Sequence, residues 1–259
     1  EENYFFAFSK FQKLLLELYE NNSDFVIPAS RLKEVKAFVE RGLEDFSISR
    51  LKSKMPWGVA VPNDPEHIMY VWFDALVNYI SAIGWPEDMD KFNKWWPVTQ
   101  YCGKDNLRQQ AAMWQAMLLS AGLPTSRQII VNGFITSGGQ KMSKSLGNVI
   151  SPVSIVSEYG ADALRYYFAR ELNPFEDSDF TMDKFKDVYN ANLANGLGNL
   201  TSRIIKMSET YLEKPVHSEE RFIFPKEFSE NIEKFELNKA MDFIWQKIGE
   251  ADSYIQKNQ

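Results

Sequence analysis

Lys141 and Lys144 stand three residues apart in Gly138-Gly139-Gln140-Lys141-Met142-Ser143-Lys144-Ser145-Leu146-Gly147-Asn148. Two ammonium groups at that spacing, flanked by serine hydroxyls and hinged on glycines, can close over a polyphosphate as point charges and donors. On composition alone the same stretch reads as a solvated surface hairpin. Gly103-Lys104-Asp105 places a cation and a carboxylate just after an apolar run, although an Asp there can equally cap a helix. Asn199 and Arg203 lie four apart, on one face of any helix that contains them.

The rest of the chain has to position these groups. With 259 residues, 44% of them hydrophobic and 14% aromatic, it can fill one large or two ordinary cores. A net charge of −6 excludes a protein that coats nucleic acid through a cation surplus, and leaves room for a shaped RNA site. No apolar run approaches the roughly 18 residues of a membrane span, so a soluble, cytoplasmic protein is expected. Cys102 has no intrachain cysteine partner, and one Cys with His67 and His217 cannot build a four-ligand zinc knuckle. The opening Glu1-Glu2-Asn3, without an initiator Met, reads as the start of a piece of something longer.

Apolar residues recurring three or four apart predict helices over residues 3–22 and 31–41. Residues 42–65 carry three prolines and read as an irregular link or short strands. Short apolar runs then alternate with helical patterns: a strand at 68–72, a helix at 74–83, a strand at 98–102, a helix at 106–121 and a strand at 129–131. That alternation predicts an α/β fold with a parallel sheet, and ligands of such sheets bind beyond the carboxyl ends of the strands. After Ser151 no strand is expected, only helices broken near Asn173-Pro174, Lys214-Pro215 and Phe224-Pro225.

The string Lys141-Met142-Ser143-Lys144-Ser145 resembles the KMSKS signature of class I aminoacyl-tRNA synthetases. The resemblance extends to EENYFF at the start, GLEDFSISR (42–50), MYVWFDALVNY (69–79), GKDNLR (103–108), LSAGLP (119–124) and DALRYYFAR (162–170). Together these segments look like methionyl-tRNA synthetases. The resemblance implies the second half of a Rossmann-type parallel-sheet catalytic domain followed by an α-helical stem-contact and anticodon-binding region. In those terms residues 1–60 end a connective region and 61–136 form the catalytic half. Residues 137–180 hold the KMSKS loop and stem contact, and 181–259 begin the anticodon-binding helices.

The same resemblance assigns roles. Val71, Trp72, Ala75, Tyr79, Gln110 and Trp114 would form a methionine pocket, with aromatic walls around the thioether. Gly103, Asp105, Asn132, Gly133, Ile135 and Lys144 would bind ATP, and Lys104, Lys141 and Lys144 would act on the reacting phosphates. Asn199 and Arg203 would read anticodon bases. L-methionine, ATP with Mg2+, tRNA(Met) and an N-terminal half of the same enzyme are the implied partners, with no membrane and no zinc in this chain.

The chain departs from the family in having Asn132 before Gly133 and Gln109-Gln110, where His-Gly and Phe-His are common. Glutamine donates and accepts hydrogen bonds but carries no charge. The family's His-x-Gly-His signature is absent, since His67 and His217 are the two histidines, so the chain by itself is expected to be inactive. A leucine, isoleucine or valine synthetase is the nearest rival, disfavoured by the Trp72, Tyr79 and Trp114 set. A non-catalytic tRNA-binding relative is a second, disfavoured by an intact KMSKS loop and Gly103-Lys104-Asp105.

Overall fold

The computed structural model describes residues 2–217 and 222–258, and of Lys144 the backbone alone. It divides into two compact units, Glu1–Asn132 and Gly133–Gln259.

In the first unit, Ile129, Ile130 and Val131 form an apolar run without alternation, the pattern of a strand covered on both faces. All three are buried in the strand Gln128–Asn132. It is the centre of a three-stranded sheet, flanked by Val26–Ile27 and Thr99–Gly103, both parallel to it. Ile129 and Val131 pack with Leu15 of the helix Gln12–Asn21, with Val35 and Val39 of the helix Ala29–Glu40, and with Ala111. Each such aliphatic side chain contributes about 1.5–3 kcal/mol by leaving water. Beyond Gly103 the chain makes a short 3-10 turn, Lys104–Asn106, a π turn, Gln109–Met113, and the α-helix Trp114–Ser120. The expected helix over 106–121 is thus present with a π turn inside it, a local widening often found at functional sites.

Three expectations for this unit are corrected. Residues 68–72 are not a strand of the parallel sheet: Asp64–Met69 pairs antiparallel with Ser49–Leu51 and Ala60–Val61, and Tyr70 caps a helix that begins at Val71. The helix expected over 74–83 is two short ones, Val71–Ala75 and Asn78–Ser81. Residues 3–22 are helical only from Phe8 onward, because Phe5–Phe6 pairs with Phe46–Ser47. There the Phe6 ring joins those of Phe8, Phe11, Phe46 and Phe73, a cluster that a helix starting at Asn3 could not supply.

The second unit contains a strand the sequence did not announce. Ser178–Asp179 runs parallel to Ile135–Ser137, which also pairs antiparallel with Gln140–Lys141. Two residues are too few for a visible period. The remainder is helical: Pro152–Tyr159, Ala161–Glu171, Met182–Val188, Asn199–Tyr211, Lys226–Glu233 and Leu237–Lys257, with a π stretch at Tyr189–Gly198. The breaks fall at the prolines, since Ala161–Glu171 stops short of Pro174, Asn199–Tyr211 short of Pro215, and Lys226–Glu233 starts directly after Pro225. Ile155, Leu164, Tyr167, Phe180 and Phe185 form the core, with the Tyr167 and Phe180 rings edge to face at 5.0 Å.

Candidate functional site

The two-lysine segment begins on a hairpin. Gly138 and Gly139, between Ile135–Ser137 and Gln140–Lys141, both have positive φ (60° and 74°), which a two-residue turn of this hand requires and side chains resist. Asp179 holds that turn from the neighbouring strand: its Oδ1 accepts from the Gly139 amide at 2.8 Å and from the Thr136 hydroxyl at 2.7 Å. Those two bonds, the Gly139 amide first, keep the Asp179 carboxyl below the usual carboxylate range. Further along, Asn148 spans the loop, accepting from Ser143 N at 2.9 Å and donating to the Lys141 carbonyl at 3.2 Å. The Ser143 and Ser145 hydroxyls meet at 2.9 Å.

Lys141 is exposed, its ammonium 4.7 Å from the centre of the Phe134 ring. The backbone of Lys144 lies in the 3-10 turn Lys144–Leu146, and the role expected of its side chain lies outside the described residues. Asp179 was missed in the sequence because its ties span 40 and 43 residues with no motif to mark them, and Asn148, though inside the quoted loop, because the string does not show that its amide folds back on Ser143 and Lys141.

Gly133 has a structural reason of its own. A Cβ there would stand 2.1 Å from the Glu176 carbonyl oxygen, so the close passage of the 176–177 backbone excludes any side chain. Ile135 is exposed at the start of its strand.

In the first unit, Gly103 and Asn132 are register partners at the carboxyl ends of adjacent parallel strands. Lys104 and the exposed Asp105 follow at once, at the edge where such sheets bind ligands. The neighbouring Cys102 thiol is pushed up to about 11 by burial and by Asp105, which leaves it a packing residue and not a nucleophile.

Of the six residues expected around a methionine side chain, four come together. Trp72, Tyr79 and Trp114 share one cluster with Leu76, Ile80 and Trp96, the Tyr79 and Trp114 rings 6.2 Å apart. Gln110 is buried and donates from Nε2 to the Tyr79 hydroxyl at 2.9 Å. Val71 and Ala75 are exposed, and Val71 lines a separate cavity of about 450 Å³ with Arg50, Trp57, Tyr70 and Asp74. Arg50, which the sequence reading passed over, stacks 4.6 Å from the centre of the Tyr70 ring and donates to the Ser49 carbonyl at 2.6 Å. It gives that cavity a positive charge and Asp74 a negative one.

Asn199 is exposed at the first turn of Asn199–Tyr211. Arg203, one turn on, pairs through Nη1 with Asp252 of Leu237–Lys257 at 2.6 Å.

The parallel sheet with Gly-Lys-Asp at its carboxyl edge and the hairpin that opens the KMSKS string are the features in which the chain resembles class I aminoacyl-tRNA synthetases. Residues 1–205 match the family model described as tRNA synthetases class I (M). The chain belongs to the methionyl-tRNA synthetase family. It is 49% identical over 232 residues to the methionine–tRNA ligase of Thermosynechococcus vestitus, covering 88% of this chain and 44% of that protein. To that of Thermotoga maritima it is 42% identical over 268 residues, covering 98% and 42%. The Mycobacterium tuberculosis methionyl-tRNA synthetase in complex with methionyl-adenylate superposes with a TM-score of 0.88 at 36% identity, covering 99% of this chain and 53% of that one. The chain therefore spans between two fifths and about half of the length of these relatives.

Proposed function

We propose that this chain supplies one part of a methionine–tRNA ligase, a cytoplasmic enzyme of protein synthesis. In the reaction a methionine carboxylate oxygen attacks the α-phosphorus of ATP. The bond to the β-phosphate oxygen breaks and pyrophosphate leaves. A ribose hydroxyl at the 3′ end of tRNA(Met) then attacks the carbonyl carbon of the adenylate, and AMP leaves. The observation that carries this reading is the likeness, over 99% of the chain, to a synthetase whose structure holds methionyl-adenylate.

In this reading Gly103, Asp105, Asn132, Gly133 and Ile135 hold the nucleotide, while Lys104, Lys141 and Lys144 offset the charge that builds on the phosphates. Magnesium enters with ATP as part of the substrate. Trp72, Tyr79, Gln110 and Trp114 surround the methionine side chain, and Asn199 and Arg203 face the anticodon of tRNA(Met). The Arg203 pair with Asp252 uses one of five guanidinium donors, and a base edge can compete for the others.

Methionine-dependent ATP–pyrophosphate exchange tests the proposal. A full-length protein bearing this sequence is expected to exchange with methionine and not with leucine, isoleucine or valine. The 259-residue chain by itself is expected to show none, because the His-x-Gly-His signature is not in it. Exchange driven by one of the other amino acids would overturn the assignment, and clear exchange by the 259-residue chain would overturn the need for that signature.

A further inference from the structure

The helix that carries Arg203 begins well before Asn199. The π stretch Tyr189–Gly198 passes into Asn199–Tyr211 without a break, Gly198 and Asn199 both keeping helical backbone. Within it Gly196 is pressed against Leu237–Lys257. A Cβ there would stand 3.2 Å from Trp245 Cζ3 and 3.2 Å from the Ala191 carbonyl oxygen, so the indole rests on bare backbone. Seven residues further along both helices, Asp252 Oδ1 accepts from Arg203 Nη1 at 2.6 Å. Seven residues are about two helical turns, so Gly196 and Arg203 share one face of their helix, as Trp245 and Asp252 do of theirs. Both contacts advance in the same direction, which makes the two helices a parallel pair joined at two points. Leu200, between those points, lines one cavity with Ile248 and Ala251.

Trp245 is also held from a third helix. The Tyr166 ring of Ala161–Glu171 meets it edge to face at 5.7 Å, and the Arg170 guanidinium lies 5.1 Å from its centre. Arg170 stands 3.6 Å from Asp242 as well, three residues before Trp245. At the other contact, Asp252 Oδ2 accepts from Gln256 Nε2 at 2.7 Å, which fixes the carboxylate that Arg203 meets. With Leu237–Lys257 tied at both points, an atom added at Gly196 has to be accommodated by the helix that bears Arg203. An arginine paired at one end of its fork presents its remaining donors in a fixed plane. Released, the same side chain has its rotamer freedom to lose at every contact it makes.

We infer that Trp245, seated on the side-chain-free backbone at Gly196, is a positioning residue for anticodon discrimination: it pins the register in which Asp252 meets Arg203. This rests on the reading that Arg203 faces the anticodon of tRNA(Met).

The test is a ratio, the aminoacylation kcat/KM for a methionine tRNA over that for one with an altered anticodon, in a full-length enzyme bearing this sequence. Methionine-dependent pyrophosphate exchange is read beside it. Gly196→Ala is expected to lower the ratio about fivefold, the scale of forcing one methyl into a filled contact, with exchange within about twofold of wild type. Alanine is the better helix former, so the loss would not come from a weakened helix. Trp245→Phe vacates part of the same space, and the double variant Gly196→Ala with Trp245→Phe should recover the ratio to within about twofold, as coupled neighbours do. A wild-type ratio in Gly196→Ala would overturn the pin, and so would a double variant as poor as Gly196→Ala alone. Should Gly196→Ala fail to fold, Trp245→Leu, which removes the ring from the opposite helix, decides. A ratio lowered about threefold with exchange retained supports the pin, and an unchanged ratio overturns it. Arg203→Gln in the same assay separates the two readings. If it lowers the ratio while Gly196→Ala does not, the pin alone fails; if it leaves the ratio unchanged, anticodon reading by Arg203 fails and the pin with it.

Discussion

Lys144 carries the second cation of the KMSKS loop, and its value should be confined to the moment when charge builds on the phosphates. Lys144→Ala in a full-length enzyme is expected to lower the rate of adenylate formation by about 10²–10³-fold, the scale of removing one group aimed at transition-state charge. Methionine affinity by equilibrium binding should stay near wild type, and a variant that loses binding but keeps its rate would place Lys144 in the wrong role. His67 offers a second test, remote from the chemistry. Its Nε2 stands 2.9 Å from the Glu2 carbonyl and its Nδ1 2.8 Å from Asp64 Oδ2, two acceptors that are both satisfied only by the doubly protonated ring. The Glu2 carbonyl first, and then Asp64, hold its pKa above the ordinary histidine value. A raised pKa means that the stabilisation is complete below the unfolded-state value of about 6.5 and fades as pH rises through the folded-state value. Thermal unfolding should therefore show the wild type losing its advantage over His67→Phe between mildly acidic and alkaline pH, and a gap that widens with pH would contradict this sign.

Hairpin and strand act as one device in the second unit. The turn at Gly138 and Gly139 presents Lys141, Asp179 on the adjoining strand fixes the turn, and Asn148 fixes the far side of the loop. Asp179→Ala leaves the Gly139 amide and the Thr136 hydroxyl without their acceptor, so the loop should lose its aim before the unit loses its fold. Exchange should fall about tenfold, as loss of a bond to a charged group of about 1.5 kcal/mol implies, with the KM for methionine little changed. Asp179→Asn retains an acceptor oxygen and should keep most of the rate. Equal losses in the two variants would mean that the negative charge, and not the hydrogen bonds, is what matters.

In the proposed function, adenylate formation and anticodon reading call on different elements, so they should separate under mutation. Arg203→Gln in a full-length enzyme is expected to reduce aminoacylation of tRNA(Met) while leaving pyrophosphate exchange near normal. The variant should also distinguish less well between a methionine tRNA and one with an altered anticodon. A phosphate contact would behave otherwise, weakening both tRNAs alike and reducing the salt dependence. Equal losses for the two would leave Arg203 as the partner of Asp252 and a backbone anchor.

What could be read without coordinates was local and consecutive. Ile129 to Val131 announced a doubly covered strand because three apolar residues in a row leave no solvent face. Gly103-Lys104-Asp105 and the KMSKS string are chemistry written in neighbouring residues, and a strand ending just before the first of them located it at the carboxyl edge of a sheet. The prolines marked the helix breaks because each forbids helical geometry in the residue before it. Tertiary structure alone decided the rest, since those features join residues far apart or are too short to show a period. The helix start at Val71 depends on Tyr70 turning out of an antiparallel strand, although 68–72 is continuously apolar or aromatic. The Ser178–Asp179 strand exists only through its partner some forty residues earlier. The buried network of Gln100, Gln110, Gln115 and Ser126 is built from residues that a sequence shows as ordinary polar ones. Only burial, which makes an unpaired amide costly, forces those four into a single orientation.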